Sequence, residues 1–296
     1  MNIIAVIIPI YNRIEITKKG LAAIYQAVTR VNGRGIAEFE LVVVDDASTD
    51  GSSEWINSNY PKVHVVRTEG NQWWTGSVNA GIRFAMEHFK DRLHGLILQN
   101  DDVLVDEDWL ENFYDVIRDN PGALIGCAAA DVNARDIILY GGKFMHPWSA
   151  KTTMYNASKK LSDVDINTLT SSSDLIGRGV FLPVEVIRKV GLYDFKHFKH
   201  RGDTELPVRA RRAGFPLLVT YKALVYINPE TTSGIDIKKN YTLKDFKARF
   251  FDFRSSSYWK YRYYYARSHS ENLVQRFVFF ACDMARHLNY YLSKMK

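Results

Sequence analysis

Cysteine is scarce. The 296-residue chain has two, Cys127 and Cys282, far apart and in no metal-ligand spacing. That excludes a disulfide scaffold and a cysteine-based zinc site, and suits two reduced thiols in a reducing compartment. Long apolar runs are also lacking. The apolar opening is interrupted at Pro9, and no stretch reaches the roughly 18 apolar residues of a membrane-spanning helix. The first residues carry neither a basic segment nor a small-residue cleavage site, so they do not read as a secretory leader. These absences predict a cytoplasmic protein without a transmembrane helix. There is no internal repeat or low-complexity segment. No GxGxxG follows the first apolar run, which disfavours a dinucleotide-dependent dehydrogenase.

What is present is a soluble globular composition, 46% hydrophobic and 24% charged, long enough for one large α/β domain or one domain with a small appendage. The net charge of +6 is unevenly placed. Residues 238–296 hold 13 Lys/Arg against 4 Asp/Glu, so the other 237 residues carry about −3. A mildly acidic body with a basic tail is the first organisational division.

Residues 3–8 form a short apolar, β-branched run ending at a proline, as a buried parallel strand reads. Further apolar runs lie at 41–44, 63–66, 96–98 and 125–129, separated by helical spacing at 13–31, 52–57, 77–89 and 106–118. Asp106 is the expected N-cap of the last of these helices. Alternating strands and helices predict a mostly parallel sheet covered on both faces. Residues 131–173 are rich in Ser, Thr, Asn, Asp and Gly, and predict a hairpin around Gly141-Gly142 within a long loop. Strands are then expected at 175–182, 217–220 and 223–227, and helices at 183–190 and 203–213.

Ligands of such sheets collect at the carboxyl ends of the strands. Here those ends carry Tyr11-Asn12, Asp45-Asp46 and Asp101-Asp102, so polar and acidic groups converge on one edge. A carboxylate at a strand end suits magnesium or manganese, which take oxygen ligands and share them with substrate phosphates. An acidic turn capping the next helix reads equally well there. Asp45-Asp46 offers an acceptor for a nucleobase N–H, or a turn in which Ser48 and Asp50 cap a helix. Trp73-Trp74 offers stacking faces for sugar or base, or a packed loop anchor.

Taken in order, these segments resemble the family 2 glycosyltransferases of the GT-A fold, in particular bacterial polysaccharide and rhamnosyltransferase-like members. The resemblance rests on Val6-Ile7-Ile8-Pro9-Ile10-Tyr11-Asn12, Val42 to Asp50, Gly70 to Gly81, and Asn100-Asp101-Asp102, which resembles a DxD-type metal motif. Leu175-Ile176-Gly177-Arg178-Gly179-Val180 resembles that family's glycine-bearing segment beside the acceptor. Lys199 to Phe215 resembles its acidic segment opening a helix that carries an Arg six residues later.

The resemblance implies a nucleotide pocket at Pro9, Tyr11, Asn12, Asp45, Asp46, Asn71 and Asp101. It implies a divalent metal, Mn2+ or Mg2+, at Asp102, and a catalytic base at Asp203. Trp73, Trp74, Gly177, Arg178, Gly179, Glu205 and Arg209 would lie around the donor or acceptor sugar. Without the upstream motifs, Asp203 reads as an N-cap and Glu205 and Arg209 as an i,i+4 surface pair. Two positions depart from the family pattern: Asn100 stands at the first DxD position and Gly202 where a Glu is usual. No His stands between His200 and His269, so the family's metal-binding His has no counterpart around 227–234, where Asn228 offers a weaker oxygen ligand.

The implied activity is inverting transfer from a UDP-, dTDP- or GDP-linked donor to a glycan or lipid-linked glycan, in cell-surface polysaccharide synthesis. Its rivals are a sugar nucleotidyltransferase, which should carry a Gly-rich basic loop after strand one, and a degenerate binding module, which should have lost Asp102 or Asp203. The implied layout is a catalytic domain over 1–235, with a nucleotide-sugar half to 130 and an acceptor half from 131, then a helical extension over 236–296. Residues 246–265, FKARFFDFRSSSYWKYRYYY, interleave basic and aromatic side chains. They suit packing on the body, a homodimer contact or an anionic membrane surface on the cytoplasmic side, in preference to nucleic acid.

Overall fold

A computed structural model describes residues 2–229 and 241–294. The expected boundary at 235/236 and residues 232–234 lie outside them. The first half alternates as its periodicity predicts: β1 (Ile3–Ile10), α1 (Ile14–Gly33), β2 (Glu38–Asp45), α2 (Ser52–Asn59), β3 (His64–Arg67), α3 (Trp73–Phe89), β4 (Leu93–Leu98), β5 (Leu104–Val105), α4 (Trp109–Asp119) and β6 (Leu124–Asp131). The second half adds β7 (Ile138–Tyr140), β8 (Lys143–Met145), β9 (Thr152–Met154), β10 (Leu169–Ser171), β11 (Val180–Pro183), α5 (Val184–Val190), α6 (Glu205–Arg212) and β12 (Leu217–Ile227). Three helices close the described chain: α7 (Leu243–Phe251), α8 (Trp259–His269) and α9 (Leu273–Leu292).

The main sheet runs β10-β12-β6-β11-β4-β1-β2-β3. β1, β2, β3 and β4 are parallel, with Ile7 of β1 opposite Val42 on one side and Leu98 on the other. β11 runs antiparallel to both its neighbours, β4 and β6. β1 is the hydrophobic axis, since Ala5 to Ile8 are fully buried. Val6, Ile7 and Ile8 each contribute about 1.5–3 kcal/mol when buried. The chain proceeds outward from β1 to β2 and β3, then returns to β4 on the other side. The reversal opens a crevice at the carboxyl ends of β1 and β4, where ligands of open α/β sheets bind.

Several expectations change. Residues 175–179 are not strand; the ladder starts at Val180, because Gly179 takes a φ of +65° and the chain turns there. The two strands expected near 217–227 are one, with a register shift between Thr220 and Leu224. Gly141-Gly142 is no hairpin turn. It passes the chain from β7, paired to β6, to β8, which pairs with β9. Asp106 does not cap α4. Its side chain takes Arg135 at 2.9 Å and the Tyr226 hydroxyl at 2.6 Å, while its carbonyl accepts the Trp109 N–H.

The basic, aromatic tail packs on the body. Tyr261 meets Phe198 with ring centres 5.4 Å apart, and Tyr264 lies on His197 at 3.8 Å. The Tyr265 hydroxyl donates to Asp174 at 3.3 Å, and the Gln275 amide to the Pro147 carbonyl at 2.9 Å. Arg262 grips both oxygens of Asp283 at 2.5 Å and joins α8 to α9. The outward face of α9 stays exposed at Leu273, Val274 and Phe277.

His269 is buried at this junction, with Nδ1 2.9 Å from the Tyr265 carbonyl. A carbonyl only accepts, so Nδ1 carries the proton. Burial, helped by the cations Lys143, Arg211 and Arg262, pushes the imidazole pKa down to about 3 against the opposing Tyr265 bond. The ring is thus neutral when folded and titrates near 6.5 when unfolded. Below pH 6.5 the unfolded chain binds the extra proton, so this stability is present above 6.5 and lost as pH falls. The loss reaches about 2 kcal/mol at pH 5. The melting temperature should therefore drop between pH 7 and pH 5, and drop less in His269→Asn, whose amide nitrogen replaces Nδ1. Equal drops in the two proteins would remove His269 as the cause.

Candidate active site

A cleft of about 430 Å³ opens at the β1–β4 crevice, lined among others by Pro9, Tyr11, Arg13, Asp46, Asn71, Trp73, Trp74, Asn100 and His200. Its walls are turns held by short polar side chains. Asn12 sits at a φ of +46°, a left-handed conformation that asparagine tolerates. Its N–H donates to Ser48 at 3.0 Å and its Oδ1 accepts the Thr49 N–H at 2.8 Å, which locks the β1 turn to the β2 turn.

The two acidic residues after β2 divide. Asp45 is fully buried and absent from the cleft lining; it accepts the Ser48 N–H at 2.8 Å and the Ser53 hydroxyl. Asp46 faces the cleft wall and anchors the start of α3. It accepts the Thr68 hydroxyl at 2.7 Å and the N–H groups of Gln72 and Trp73 at 3.0 and 2.9 Å. A carboxylate at a helix N-terminus is favoured by the exposed N–H groups there. Asn71 takes the Trp73 indole N–H at 3.0 Å and Lys199 at 2.9 Å on its Oδ1. Trp73 stands between His200 and Phe253, with ring centres 5.3 and 5.2 Å away. The tail therefore reaches the cleft.

The turn after β4 holds the remaining acids. Asp101 is fully buried, ion-paired with Arg13, and accepts the Thr17 hydroxyl at 2.8 Å. Burial pushes its pKa up to about 6, despite the Arg13 charge. α1 comes so close that a Cβ on Gly20 would overlap the Asp101 carbonyl oxygen. Asp102 is different. Arg13 lies 3.5 Å from its Oδ2, while its Oδ1 is buried and has no hydrogen-bond partner. An unpartnered buried carboxylate oxygen beside a cleft fits a divalent cation. Among the described residues no group of three or more His, Cys, Asp or Glu side chains is arranged around one ion. Asp102 would hold the cation with substrate phosphate and water completing the shell. Asn100 accepts the Trp74 indole N–H at 2.9 Å and so fixes Trp74.

Trp74 is the wall shared with the second half. Its ring packs where Gly177 has no side chain, and the Gly177 N–H donates to Asp203 Oδ2 at 3.2 Å. Asp203 lies two residues ahead of α6, whose first residue is Glu205. Burial pushes the Arg178 pKa down, while the charges of Asp102 and Asp203 both oppose it, so this guanidinium lies within the field of both acids. Gly179 lacks room for a side chain against Cys127 and Val225; just ahead of β11, its N–H donates to the Leu98 carbonyl and its carbonyl accepts the Cys127 N–H.

Glu205 and Arg209 are no exposed pair. Glu205 is buried, both its oxygens meet Arg209, and it accepts the Asp194 N–H at 3.2 Å. Arg209 donates onward to the carbonyls of Val190 and Leu192. The pair clamps the chain after α5 onto α6 and is absent from the cleft lining. Sequence reasoning missed Arg13 and His200 as cleft residues. Arg13 directly follows Asn12, but only the β1–β4 neighbourhood brings it to the acids.

The family described as Glycosyl transferase family 2 matches residues 5–174. A curated relative, undecaprenyl-phosphate mannosyltransferase of Micrococcus luteus, is 34% identical over 90 residues, which are 29% of this chain and 34% of that protein. The chain thus spans about a third of that relative. Among solved structures, S. aureus TarS 1-349 aligns over 98% of this chain and 72% of its own, with a TM-score of 0.60 and 13% identity. The mannosyltransferase PcManGT from Pyrobaculum calidifontis, solved with GDP-Man and Mn2+, aligns over 96% and 70%, with a TM-score of 0.59 and 14% identity. At such identities these structures speak for the GT-A-type fold.

The Gly177 packing is testable. Gly177→Ala places a Cβ over the Trp74 ring and within 2.9 Å of the Asp203 Cβ. It should destabilise by about 1–3 kcal/mol in urea denaturation, and Trp74→Phe in the same background should recover part of that. An unchanged urea midpoint in Gly177→Ala would show that the contact is not made.

Proposed function

Because the chain belongs to glycosyl transferase family 2, we propose that it transfers a sugar from a nucleoside-diphosphate donor to a hydroxyl of a glycan or lipid-linked glycan, with inversion. The observation that carries the donor side is the unpartnered Oδ1 of Asp102 beside the cleft. Pro9, Tyr11 and Asn71 line the nucleotide pocket beside it, with Asp46 holding its wall. Asn12 and Asp45 brace the two turns from outside. Asp102 would hold a divalent cation, Mn2+ or Mg2+, which when bound would supply charge neutralisation for the leaving diphosphate.

Asp203 is the base. The Gly177 N–H orients its carboxylate behind Trp74. An acceptor hydroxyl is a poor nucleophile until a positioned carboxylate takes its proton. Attack then comes from the face opposite the leaving group, and orientation within the cleft supplies much of the rate. Glu205 and Arg209 position Asp203 by clamping α6, whereas Trp73, Trp74 and Arg178 border the sugar.

A lipid-linked acceptor suits a protein that lies on a membrane without crossing it. Among the described residues no helix is long and apolar enough to span one. The exposed Leu273, Val274 and Phe277 on α9 supply an apolar contact face for the membrane, or for a second copy of the chain. Cys127 and Cys282 are unpaired, in keeping with the cytoplasmic side.

A thermal-shift panel of UDP, dTDP, GDP and CMP, with and without Mn2+, tests the donor reading. One nucleotide should raise the melting temperature of the wild type in Mn2+ more than without it. That gain should vanish in Asp102→Ala. A panel without any shift would leave a binding module that has lost its donor.

A further inference from the structure

Arg13 lines the cleft and touches the acidic turn after β4. It stands in the turn between β1 and α1, against the Asn100-Asp101-Asp102 turn that follows β4. One guanidinium nitrogen pairs with Asp101 Oδ1 and the other lies 3.5 Å from Asp102 Oδ2. Asp101 is a fixed anchor for it, since its other oxygen is held by Thr17 at 2.8 Å and the residue is fully buried. The Arg13 side chain nevertheless keeps 42% of its surface exposed and lines the cleft. A guanidinium has five N–H donors and stays charged at every working pH. It is therefore tethered at one edge and open to the cleft along the rest.

We propose that Arg13 is a built-in counter-cation of the donor site, binding the donor's diphosphate directly and competing with a divalent cation for Asp102. The proposal rests on the nucleotide-donor reading of the cleft. A planar guanidinium matches phosphate oxygens in paired hydrogen bonds. Because it is already held by Asp101, little side-chain freedom is lost when the phosphate arrives. The same positive charge repels a metal ion approaching Asp102. Arg13 should thus act with opposite sign on the two ligands: it strengthens diphosphate binding in the absence of metal and weakens metal binding in the absence of nucleotide. A residue that only braced the β1 and β4 turns would move both affinities the same way.

Calorimetric titrations separate these cases. The probes are UDP, GDP and dTDP in EDTA, each paired with its nucleoside, and Mn2+ alone. Arg13→Gln keeps a hydrogen-bond donor for Asp101 and removes the charge. It should weaken the favoured nucleoside diphosphate in EDTA by about tenfold, as expected for one charge-assisted contact, leave the nucleoside unchanged, and tighten Mn2+ several-fold. Arg13→Lys, which restores the charge, should recover most of the diphosphate affinity and weaken Mn2+ again. Losses for both ligands, or an unchanged diphosphate affinity in Arg13→Gln, would overturn the proposal. So would a wild type that binds nucleoside diphosphate only with Mn2+, which leaves the donor reading standing. A wild type that binds no nucleotide even with Mn2+ would overturn the donor reading and the proposal together.

Discussion

The carboxyl edge of the sheet gathers five aspartates, Asp45, Asp46, Asp50, Asp101 and Asp102, in the turns that border a cleft suited to an anionic donor, with Asp46 in its lining. Such a site works only if most of that negative charge is engaged elsewhere. Asp45 and Asp46 accept backbone N–H groups and hydroxyls within the β2 turn and at the start of α3. Asp50 accepts the Ile14 N–H at 2.8 Å and the Ser52 N–H at 3.1 Å, so it serves the starts of α1 and α2. Asp101 pairs with Arg13. Of these five, Asp102 is the one that keeps a buried oxygen without a partner among the described residues. The acids that build the turns and the acid left for a cation are distinguished by their hydrogen bonds, not by residue type.

The division explains what could be read in advance. The positions of β1, β2, β4 and the acidic turns were legible, because continuous apolar runs followed by polar residues leave few other arrangements. The division of labour among the acids was not. Asp45 and Asp46 are adjacent and chemically identical, and only strand alternation turns one inward and the other toward the cleft. Glu205 and Arg209 match the spacing of an exposed helix pair. Their burial follows from the chain after α5 lying across them, a tertiary fact that the local pattern does not contain. The Gly141-Gly142 turn failed for a related reason: two glycines mark a change of direction but do not say which strands pair on either side.

The tail is a second case. Interleaved basic and aromatic residues fit a membrane, a dimer or the chain's own body, and composition cannot rank them. Packing resolves part of the question, since Tyr261, Tyr264 and Tyr265 engage Phe198, His197 and Asp174, while Phe253 supports Trp73 at the cleft. The extension is thus continuous with the site. The tyrosines at 261, 264 and 265 turn inward, while exposed apolar side chains remain at Phe251 and Trp259 and along α9 at Leu273, Val274 and Phe277.

Trp74 links the two halves of the site, with Asn100 on its indole nitrogen and Gly177, holding Asp203, against its ring. The central claim is that a carboxylate fixed there drives sugar transfer from a donor bound beyond it. The direct measurement is single-turnover transfer with the donor the protein binds, comparing wild type with Asp203→Asn and recording donor affinity alongside. The rate should fall by about 100-fold or more, as for loss of a general base, with donor affinity unchanged. Wild-type transfer by Asp203→Asn would contradict the assignment.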